Sequence, residues 1–156
     1  MSIFLSSQKI IKDWIDYNNH LNVSYYLLIF DKYGADVLND KFKMGENSAK
    51  TTEMSTMVVE TYITYNNEVK EGEEVDIFLT YFDHDKKRLH YRLEMIEKSS
   101  KKLSATIELL SLYVNLKERK VSEFENEKLE IMDDYIKKHS LSFKNDDLKF
   151  SSKLKK

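Results

Sequence analysis

Residues 23–39 read VSYYLLIFDKYGADVLN and are the most informative part of the sequence for the fold. Apolar side chains recur in it at helical spacing, which predicts a long helix with a broad, mostly buried apolar face. Asn22 precedes the stretch and is a suitable N-cap, because its side-chain oxygen can accept a hydrogen bond from the first turn. Gly34 lies inside the helix at a cost of about 1 kcal/mol relative to alanine. We therefore expect this helix to pack closely against a sheet.

Four strand-like runs follow the helix and alternate apolar with polar residues. They cover residues 55–66, 74–83, 88–97 and 103–116. Short polar turns join them, which predicts consecutive hairpins and therefore an antiparallel sheet. The alternation changes phase within the last run, which predicts a bulge or a strong bend there.

Shorter segments flank this core. Residues 8–15 are rich in apolar side chains and predict a first strand, whereas residues 40–54 are polar and irregular. A C-terminal helix is predicted over 123–139, opened by a capping box at Ser122 and Glu125. Together these elements predict an α+β fold, with an antiparallel five-stranded sheet packed on one long helix and a second helix near the C-terminus.

The composition excludes several classes of protein. The chain has 156 residues, with 27 acidic and 25 basic side chains and a net charge of −2, which argues against a dedicated nucleic-acid binder. It has no cysteine, so thiol catalysis, disulfides and thiolate zinc sites are excluded. No apolar run approaches the roughly 20 residues that span a bilayer. We expect a cytoplasmic protein with one domain over residues 1–140 and a flexible, lysine-rich tail over 141–156.

The residues that carry chemistry lie directly before the long helix. Asp16, His20 and Asn22 bring a carboxylate, an imidazole and an amide together within seven residues. A helix N-terminus presents free N–H groups and a positive dipole end, which suit a developing oxyanion. A carboxylate beside such donors is a minimal apparatus for acyl transfer or hydrolysis. Taken alone, an aspartate before a helix is more often a cap or a solvated turn residue.

Residues 14–27 resemble the hotdog-fold thioesterases of the 4-hydroxybenzoyl-CoA type, which carry the pattern D-x-D-x-x-G-H-x-N-x-x-x-Y-L at this place. The second Asp of the pattern matches Asp16, and its His and Asn match His20 and Asn22. Its Tyr matches Tyr26. The predicted strand, helix and four-strand order is also the order of that family.

The match is closer still to the betainyl-CoA thioesterase branch, which reads much like W-I-D-Y-N-G-H-M-N-x-x-Y-Y-L. Trp14 stands where the broad pattern has its first Asp, as in that branch. A second segment, residues 85–90, is similar to the branch's D-x-K-R-L-H. Asn19 replaces the family glycine, and asparagine is among the residues that best tolerate a left-handed backbone.

The resemblance implies a hotdog fold that hydrolyses an acyl-CoA thioester. Asp16 would act as nucleophile or as general base for water, and the backbone amide of Val23 would polarise the thioester carbonyl. His20 would complete the catalytic loop. Five further residues are candidates for contacts with the substrate: Trp14, Tyr17, Asn22, Tyr26 and His90.

The resemblance also implies partners. Coenzyme A is part of the substrate, and no metal ion or other cofactor is implied. Hotdog domains pair, so a homodimer or a dimer of dimers is expected, with sites at the subunit interface and no nucleic-acid or membrane partner. A betainyl group carries a quaternary ammonium, which an aromatic cage binds well. Such a cage has four candidate rings, although ordinary core packing explains them equally well: Trp14, Tyr17, Tyr25 and Tyr26.

Two other functions stay open at this stage. One is a non-catalytic hotdog module that binds acyl-CoA or serves as a dimer scaffold, since one fold hosts several functions. Asp16 argues against it, because a binding module does not need a carboxylate that faces the thioester. The other is a hotdog acyl-CoA dehydratase, which ranks last because the sequence lacks a second catalytic pair.

Overall fold

The computed structural model describes residues 2–156 and contains the predicted long helix. We call it the central helix, and it has three consecutive parts: α1 (Val23–Phe30), a π-helical segment (Asp31–Ala35) and α2 (Asp36–Lys41). Asn22 caps it as predicted, since its Oδ1 accepts a hydrogen bond from the Ser24 amide at 3.0 Å. A Cβ at Gly34 would lie 2.6 Å from Leu93 Cδ1, so a larger residue here would have to displace the Leu93 side chain where the helix packs on the sheet.

The sheet is antiparallel and curls around the central helix. Its strands, in chain order, are β1 (Ile3–Lys9), β2 (Met54–Tyr65), β3 (Glu74–His84), β4 (Arg88–Glu97), β5 (Leu103–Asn115) and β6 (Lys120–Val121). Across the sheet the order is β1-β3-β4-β5-β2, with β6 paired to β5. This confirms the α+β hotdog architecture of five long strands around one helix. The predicted hairpin between the first two post-helix runs is wrong, because β2 pairs with β5 at one edge of the sheet.

The first strand lies earlier in the chain than the apolar run at 8–15 predicts. It covers Ile3–Lys9, and residues 12–14 form a 3-10 turn. Ile10 and Trp14 turn inward to the core, where they are 1% and 9% exposed. The predicted strand is therefore wrong, because a buried turn and a buried strand leave the same kind of short apolar run.

Strand β5 is buried on both faces, and this explains the change of phase in its apolar pattern. Its pairing with β4 continues without a break past Leu109 and Leu110, so the bulge predicted at this point is absent there. The irregularity lies instead in the neighbouring strand β2, where Val59 has no pairing partner in β5. A strand that is buried on both faces does not alternate apolar with polar residues. Its sequence therefore does not show which side chains face the central helix.

Two shorter helices complete the fold. The stretch predicted as irregular contains α3 (Glu46–Thr52), and the C-terminal helix is α4 (Asn126–His139). The predicted capping box is wrong, because Glu125 makes no side-chain cap hydrogen bond and its carboxylate accepts one from the Tyr113 hydroxyl at 2.7 Å. Within residues 2–156, no helix is long and apolar enough to cross a bilayer.

The C-terminal segment (residues 141–156), predicted to be a flexible tail, instead lies against the outer face of the sheet, away from the central helix. The amides of Lys149 and Phe150 donate hydrogen bonds to the Glu108 carboxylate at 2.8 and 2.9 Å, and Phe150 is buried. Three ion pairs add to this contact: Lys144–Glu94 at 3.2 Å, Lys153–Glu60 at 3.9 Å and Lys156–Asp83 at 2.5 Å. The lysine content that suggested a loose tail instead complements acidic side chains of the sheet.

Candidate active site

The loop from Asp16 to Asn22 folds back on itself directly before the central helix. The amide of Asp16 donates to the His20 carbonyl at 3.1 Å, and the amide of Asn19 donates to the Asp16 carbonyl at 3.0 Å. Asn19 has φ = 61°, the left-handed conformation that asparagine tolerates. The replacement of the family glycine by asparagine is therefore compatible with the turn.

The Asp16 carboxylate is held by two neutral donors. The Asn18 amide donates to Oδ1 at 2.8 Å, and Asn22 Nδ2 donates to Oδ2 at 3.1 Å. The side chain is 15% exposed, and His20 Nε2 lies 3.9 Å from Oδ1. A carboxylate has about four lone-pair positions, so acceptor capacity remains for a water molecule or a substrate.

The amide of Val23 is the first N–H of the central helix. Its neighbour Ser24 donates to the Asn22 cap, whereas the Val23 N–H has no acceptor among residues 2–156. The first N–H groups of a helix lack intrahelical acceptors and lie at the positive end of the dipole. Val23 is exposed and lines the same cleft as Asp16. This arrangement suits an incoming carbonyl oxygen.

The cleft beside these groups has a volume of about 430 Å³. Six of the eight site residues predicted from the sequence line it: Asp16, Tyr17, His20, Asn22, Val23 and Tyr26. Six further residues line the cleft: Asn18 and Leu21 belong to the Asp16 loop itself, and the other four come from the end of β2 and the loop after it, Tyr65, Asn66, Asn67 and Glu68. The sequence does not predict these last four. No local pattern marks them, because the fold alone brings this segment to the start of the central helix.

Glu68 contacts the predicted catalytic loop directly. Its Oε2 lies 3.1 Å from His20 Nδ1, so the His20 ring is placed between two carboxylates, those of Glu68 and Asp16. The Nδ1 contact leaves Nε2 on the side of Asp16. The position of His20 is therefore set by a residue 48 positions away in the sequence.

Tyr26 and Tyr65 form one wall of the cleft. Their rings meet edge to face with centroids 5.1 Å apart. Burial, and next the negative charge of Glu68, raise the pKa of the Tyr26 hydroxyl. This hydroxyl therefore stays protonated at neutral pH and can only donate or accept a hydrogen bond there.

The aromatic cage expected around a cationic acyl group does not form in this structure. Trp14 is buried and does not line the cleft, and its ring stacks on Tyr25 with centroids 6.0 Å apart. Tyr17 lines the cleft but is 93% exposed. Of the four candidate rings, Tyr26 is the one that forms a buried wall.

His90 is not part of the cleft. It lies on the outer face of the sheet, where it is fully buried (0% exposed). Its Nε2 lies 2.7 Å from Glu108 Oε1. The same Glu108 carboxylate accepts the amides of the C-terminal segment. A direct contact between His90 and a substrate at Asp16 is therefore incompatible with this structure.

The described part of the chain, residues 2–156, contains no cluster of three or more His, Cys, Asp or Glu side chains that could hold a metal ion. The absence of any cofactor stays a prediction from the sequence.

The sequence pattern of the thioesterase-like superfamily matches residues 11–132, a range that contains the Asp16 loop, the central helix and the whole of β2 to β5. The chain belongs to this superfamily. As a thioesterase-like hotdog protein it is an enzyme, a thioester hydrolase.

Two proteins named as thioesterases and one protein solved with CoA resemble this superfamily member in sequence or in structure. Betainyl-CoA thioesterase of Pseudomonas aeruginosa is 31% identical over 120 residues, which cover 77% of this chain and 75% of that protein. A Staphylococcus aureus protein solved in complex with CoA has a TM-score of 0.77 and 21% identity, and the match covers 100% of this chain and 96% of that one. The 1,4-dihydroxy-2-naphthoyl-CoA thioesterase of Synechocystis has a TM-score of 0.73 and 12% identity, covering 86% and 97% of the two chains.

Proposed function

We propose that this chain hydrolyses an acyl-CoA thioester to a free acid and CoA, with Asp16 as the reacting carboxylate. The observation that carries the proposal is the pairing of two groups at one cleft. The Asp16 carboxylate is held by Asn18 and Asn22, and the unpaired Val23 amide begins the central helix beside it. One group supplies electrons to a carbonyl carbon or to a water, and the other stabilises the oxygen as it becomes negative.

The chemistry consumes one water molecule. The thioester oxygen accepts the Val23 N–H, and the positive end of the helix dipole stabilises the tetrahedral oxyanion. In one route Asp16 attacks the carbonyl carbon, the C–S bond breaks to release CoA thiolate, and water then hydrolyses the resulting anhydride. In the other route Asp16 takes a proton from water as the water attacks the same carbon, after which the C–S bond breaks and that proton passes to the departing CoA thiolate. Transfer of ¹⁸O from labelled water into Asp16 during turnover identifies the first route.

His20 and Glu68 complete the loop in this proposal. His20 Nε2 lies 3.9 Å from Asp16, and Glu68 fixes the other ring nitrogen at 3.1 Å. A water molecule on the cleft side of these two groups can bridge the imidazole and the carboxylate. His20 therefore positions the water or the acyl group, and Glu68 orients His20.

A second copy of this chain is the partner that fits the edge of the sheet. Strand β2 pairs with β5 on one side only, so its other edge offers unpaired N–H and C=O groups. Apolar side chains are exposed along it: Met57, Val58, Val59, Tyr62 and Tyr65. Pairing of two β2 edges in a two-fold dimer buries these side chains and satisfies the backbone groups.

Betainyl-CoA is the substrate we propose. Support comes from the 31% identity to a protein named for that activity and from the resemblance of residues 14–27 to the motif of the betainyl-CoA thioesterase branch. A trimethylammonium acyl group also has a specific physical requirement, which is a desolvated site that favours positive charge.

Thiol release from a panel of acyl-CoA esters, betainyl-CoA included, tests the proposal. The wild type is expected to release CoA, and Asp16→Asn is expected to lower kcat by at least about 10³-fold, since positioned acid–base and nucleophilic groups contribute this much. Asp13→Asn is the matched control, because Asp13 is an exposed aspartate three residues away. Circular dichroism checks that each variant is folded. A wild type that binds CoA esters but releases no thiol would establish the non-catalytic module instead.

A further inference from the structure

A cavity of about 320 Å³ lies on the outer face of the sheet, between β2 and the C-terminal segment. We call it the outer cavity. It shares Asn66 with the cleft at Asp16, so the two spaces meet at the end of β2. The sequence pattern of the superfamily ends at residue 132, so the segment that closes the outer cavity lies outside that pattern. The chemistry proposed for the cleft makes no use of this space.

Two basic side chains of the outer cavity lack a carboxylate partner. Three lysines of the C-terminal segment pair with acidic side chains of the sheet. By contrast, Lys149 and Arg92 line the outer cavity and form no ion pair among residues 2–156. Arg92 Nη1 donates to the Asp146 carbonyl at 3.3 Å, and Lys149 Nζ lies 5.2 Å from the centre of the Tyr62 ring. A guanidinium has five N–H groups, so most donors of Arg92 are left for an anion.

Neutral hydrogen-bonding groups hold Asn66 at the point where the outer cavity meets the cleft. Thr64 Oγ1 donates to Asn66 Oδ1 at 3.1 Å and lies 2.6 Å from Thr106 Oγ1. The backbone amide of Asn66 donates to the Ser104 carbonyl at 2.9 Å. Asn66 Nδ2 has no acceptor among residues 2–156. This amide group is therefore a further donor for a ligand that occupies both spaces.

Two carboxylates also line the outer cavity, and one of them is already compensated. Glu108 is 4% exposed, accepts the amides of Lys149 and Phe150, and lies 2.7 Å from His90 Nε2. Asp147 is exposed, and its side chain makes no hydrogen bond or ion pair among residues 2–156. Two uncompensated positive charges thus face one uncompensated negative charge. This balance favours the binding of an anion.

The anionic groups of an acyl-CoA are its phosphates. CoA carries a diphosphate and a 3′-phosphate, and the flexible pantetheine arm separates them from the thioester. A site for these groups has to lie outside the reaction cleft and be continuous with it. The outer cavity meets both conditions through Asn66. Its arginine and lysine are the side chains that bind phosphate oxygens through charge-assisted hydrogen bonds.

We propose that the outer cavity binds a phosphate group of the CoA moiety while the thioester lies at Asp16 of the same protomer. This inference rests on the proposed function and gives the C-terminal segment a role in binding the substrate. Arg92 and Lys149 bind the phosphate oxygens. Asn66 donates to the CoA chain where it leaves the cleft.

Three betainyl thioesters that differ only in their phosphates test the proposal: those of CoA, 3′-dephospho-CoA and pantetheine. We expect the wild type to favour the CoA ester over the pantetheine ester by at least about tenfold in kcat/KM. Arg92→Gln and Lys149→Gln should each raise KM for the CoA ester by about tenfold, because each removes a charge-assisted contact. Neither should change kcat for the CoA ester or kcat/KM for the pantetheine ester. Lys155→Gln is the matched control, since Lys155 is an exposed lysine of the same segment that does not line the cavity.

The dephospho-CoA ester identifies which phosphate is bound. If the two variants have no effect on this ester, the 3′-phosphate occupies the outer cavity, and if their effect persists, the diphosphate does. Both results support the proposal. An unchanged KM for the CoA ester overturns it. An equal loss of kcat/KM for the pantetheine ester also overturns it, because that ester has no phosphate to lose.

Removal of the uncompensated carboxylate should have the opposite effect. Asp147 has φ = 57°, a conformation that asparagine tolerates, so Asp147→Asn keeps the backbone of the segment. We expect it to tighten the binding of free CoA by about threefold, the size of an exposed charge interaction, and by less at high salt. Asp134→Asn, which removes an exposed carboxylate of α4, should leave the binding unchanged. Unchanged or weaker binding by Asp147→Asn would contradict a phosphate at this place.

Binding of free CoA keeps this inference distinct from the proposed function. Its dissociation constant is measured by isothermal titration calorimetry on Asp16→Asn, with and without Lys149→Gln. If no thioester is hydrolysed, a loss of about tenfold in CoA affinity through Lys149→Gln still supports the outer cavity. Equal CoA affinity of the two proteins overturns it. Thiol release that neither Arg92→Gln nor Lys149→Gln affects leaves the thioesterase standing and overturns the phosphate site.

Discussion

The two histidines within the matched motifs lie in opposite environments. The side chain of His20 is 33% exposed and lies on the wall of the cleft beside Asp16. The side chain of His90 is 0% exposed and pairs with Glu108 on the outer face of the sheet. The same resemblance pointed to both, yet only the first can reach a substrate.

The difference follows from where each motif lies in the fold. A loop before a helix N-terminus keeps polar side chains at the surface beside free N–H groups. A mid-strand position on the outer face is covered here by the C-terminal segment, and a polar residue buried there needs a partner. The second motif, residues 85–90, thus anchors that segment, since Asp85 also accepts the amide of Lys155 at 2.8 Å. Similarity to a family motif does not separate a reacting residue from a structural one.

Loss of the Glu108 carboxylate should give the largest effect on stability. Glu108→Ala leaves His90 and two backbone amides without their acceptor, so the free energy of unfolding should fall by about 3–5 kcal/mol. Glu60→Ala on the same face is the control, because its pair with Lys153 is exposed and contributes about 0–1 kcal/mol. Urea unfolding at one protein concentration measures both. Equal losses for the two variants would contradict the anchoring role.

Removal of the Asn22 side chain should lower both the stability of the protein and its activity at the cleft. Asn22→Ala removes the N-cap, which lowers the free energy of unfolding by about 1 kcal/mol. It also removes the donor to Asp16, so kcat for thiol release should fall by about tenfold. Asn22→Ser keeps a capping oxygen but cannot reach Asp16. We expect it to restore most of the stability and none of the lost kcat, and recovery of both would show that Asn22 is a cap alone.

Lowering the pH should weaken the attachment of the C-terminal segment to the sheet. We expect this to be the smallest of the three predicted effects. Burial opposes ionisation of Asp85, but hydrogen bonds from Lys155 and Lys87 and the pair with Arg88 hold its pKa below the usual value. A carboxylate with a depressed pKa stabilises the fold above its unfolded pKa of about 3.9, and this contribution is lost as the pH falls through the folded pKa. Hydrogen exchange at the Lys155 amide should therefore accelerate as the pH drops below about 4, relative to its intrinsic rate. Protection that is unchanged at low pH, or that persists in Asp85→Asn, would contradict this anchor.

The helix and the strand pairs β3–β4 and β4–β5 could be predicted because their signals are local. Helical spacing defines residues 23–39, and the turns after β3 and β4 join strands that are neighbours in the sheet. The position of β2 in the sheet could not be predicted. It pairs with β5, which is distant in the sequence, and the residues of neither strand indicate this partner. The phase of β5 could not be predicted either, because both of its faces are buried and its apolar and polar residues do not alternate.

The part of the candidate site that lies in the Asp16 loop could be predicted from the sequence, and the part that lies outside this loop could not. Asp16, His20 and Asn22 form one local pattern, and the structure brings all three to the cleft. Glu68 and Tyr65 were missed because they reach the cleft only through the place of β2 at the sheet edge. The contact of the C-terminal segment with the sheet could not be predicted, because its lysines pair with acidic residues that lie far away in the sequence.

The most direct test of the central claim is a crystal structure of Asp16→Asn with betainyl-CoA bound. The account predicts that the thioester oxygen lies within hydrogen-bond distance of the Val23 amide and that the carbonyl carbon lies about 3–3.5 Å from residue 16 or from a water held by it. A thioester bound at the outer face beside His90, or in the cleft with its carbonyl turned away from Val23, would contradict the claim that residues 14–27 form the reaction centre.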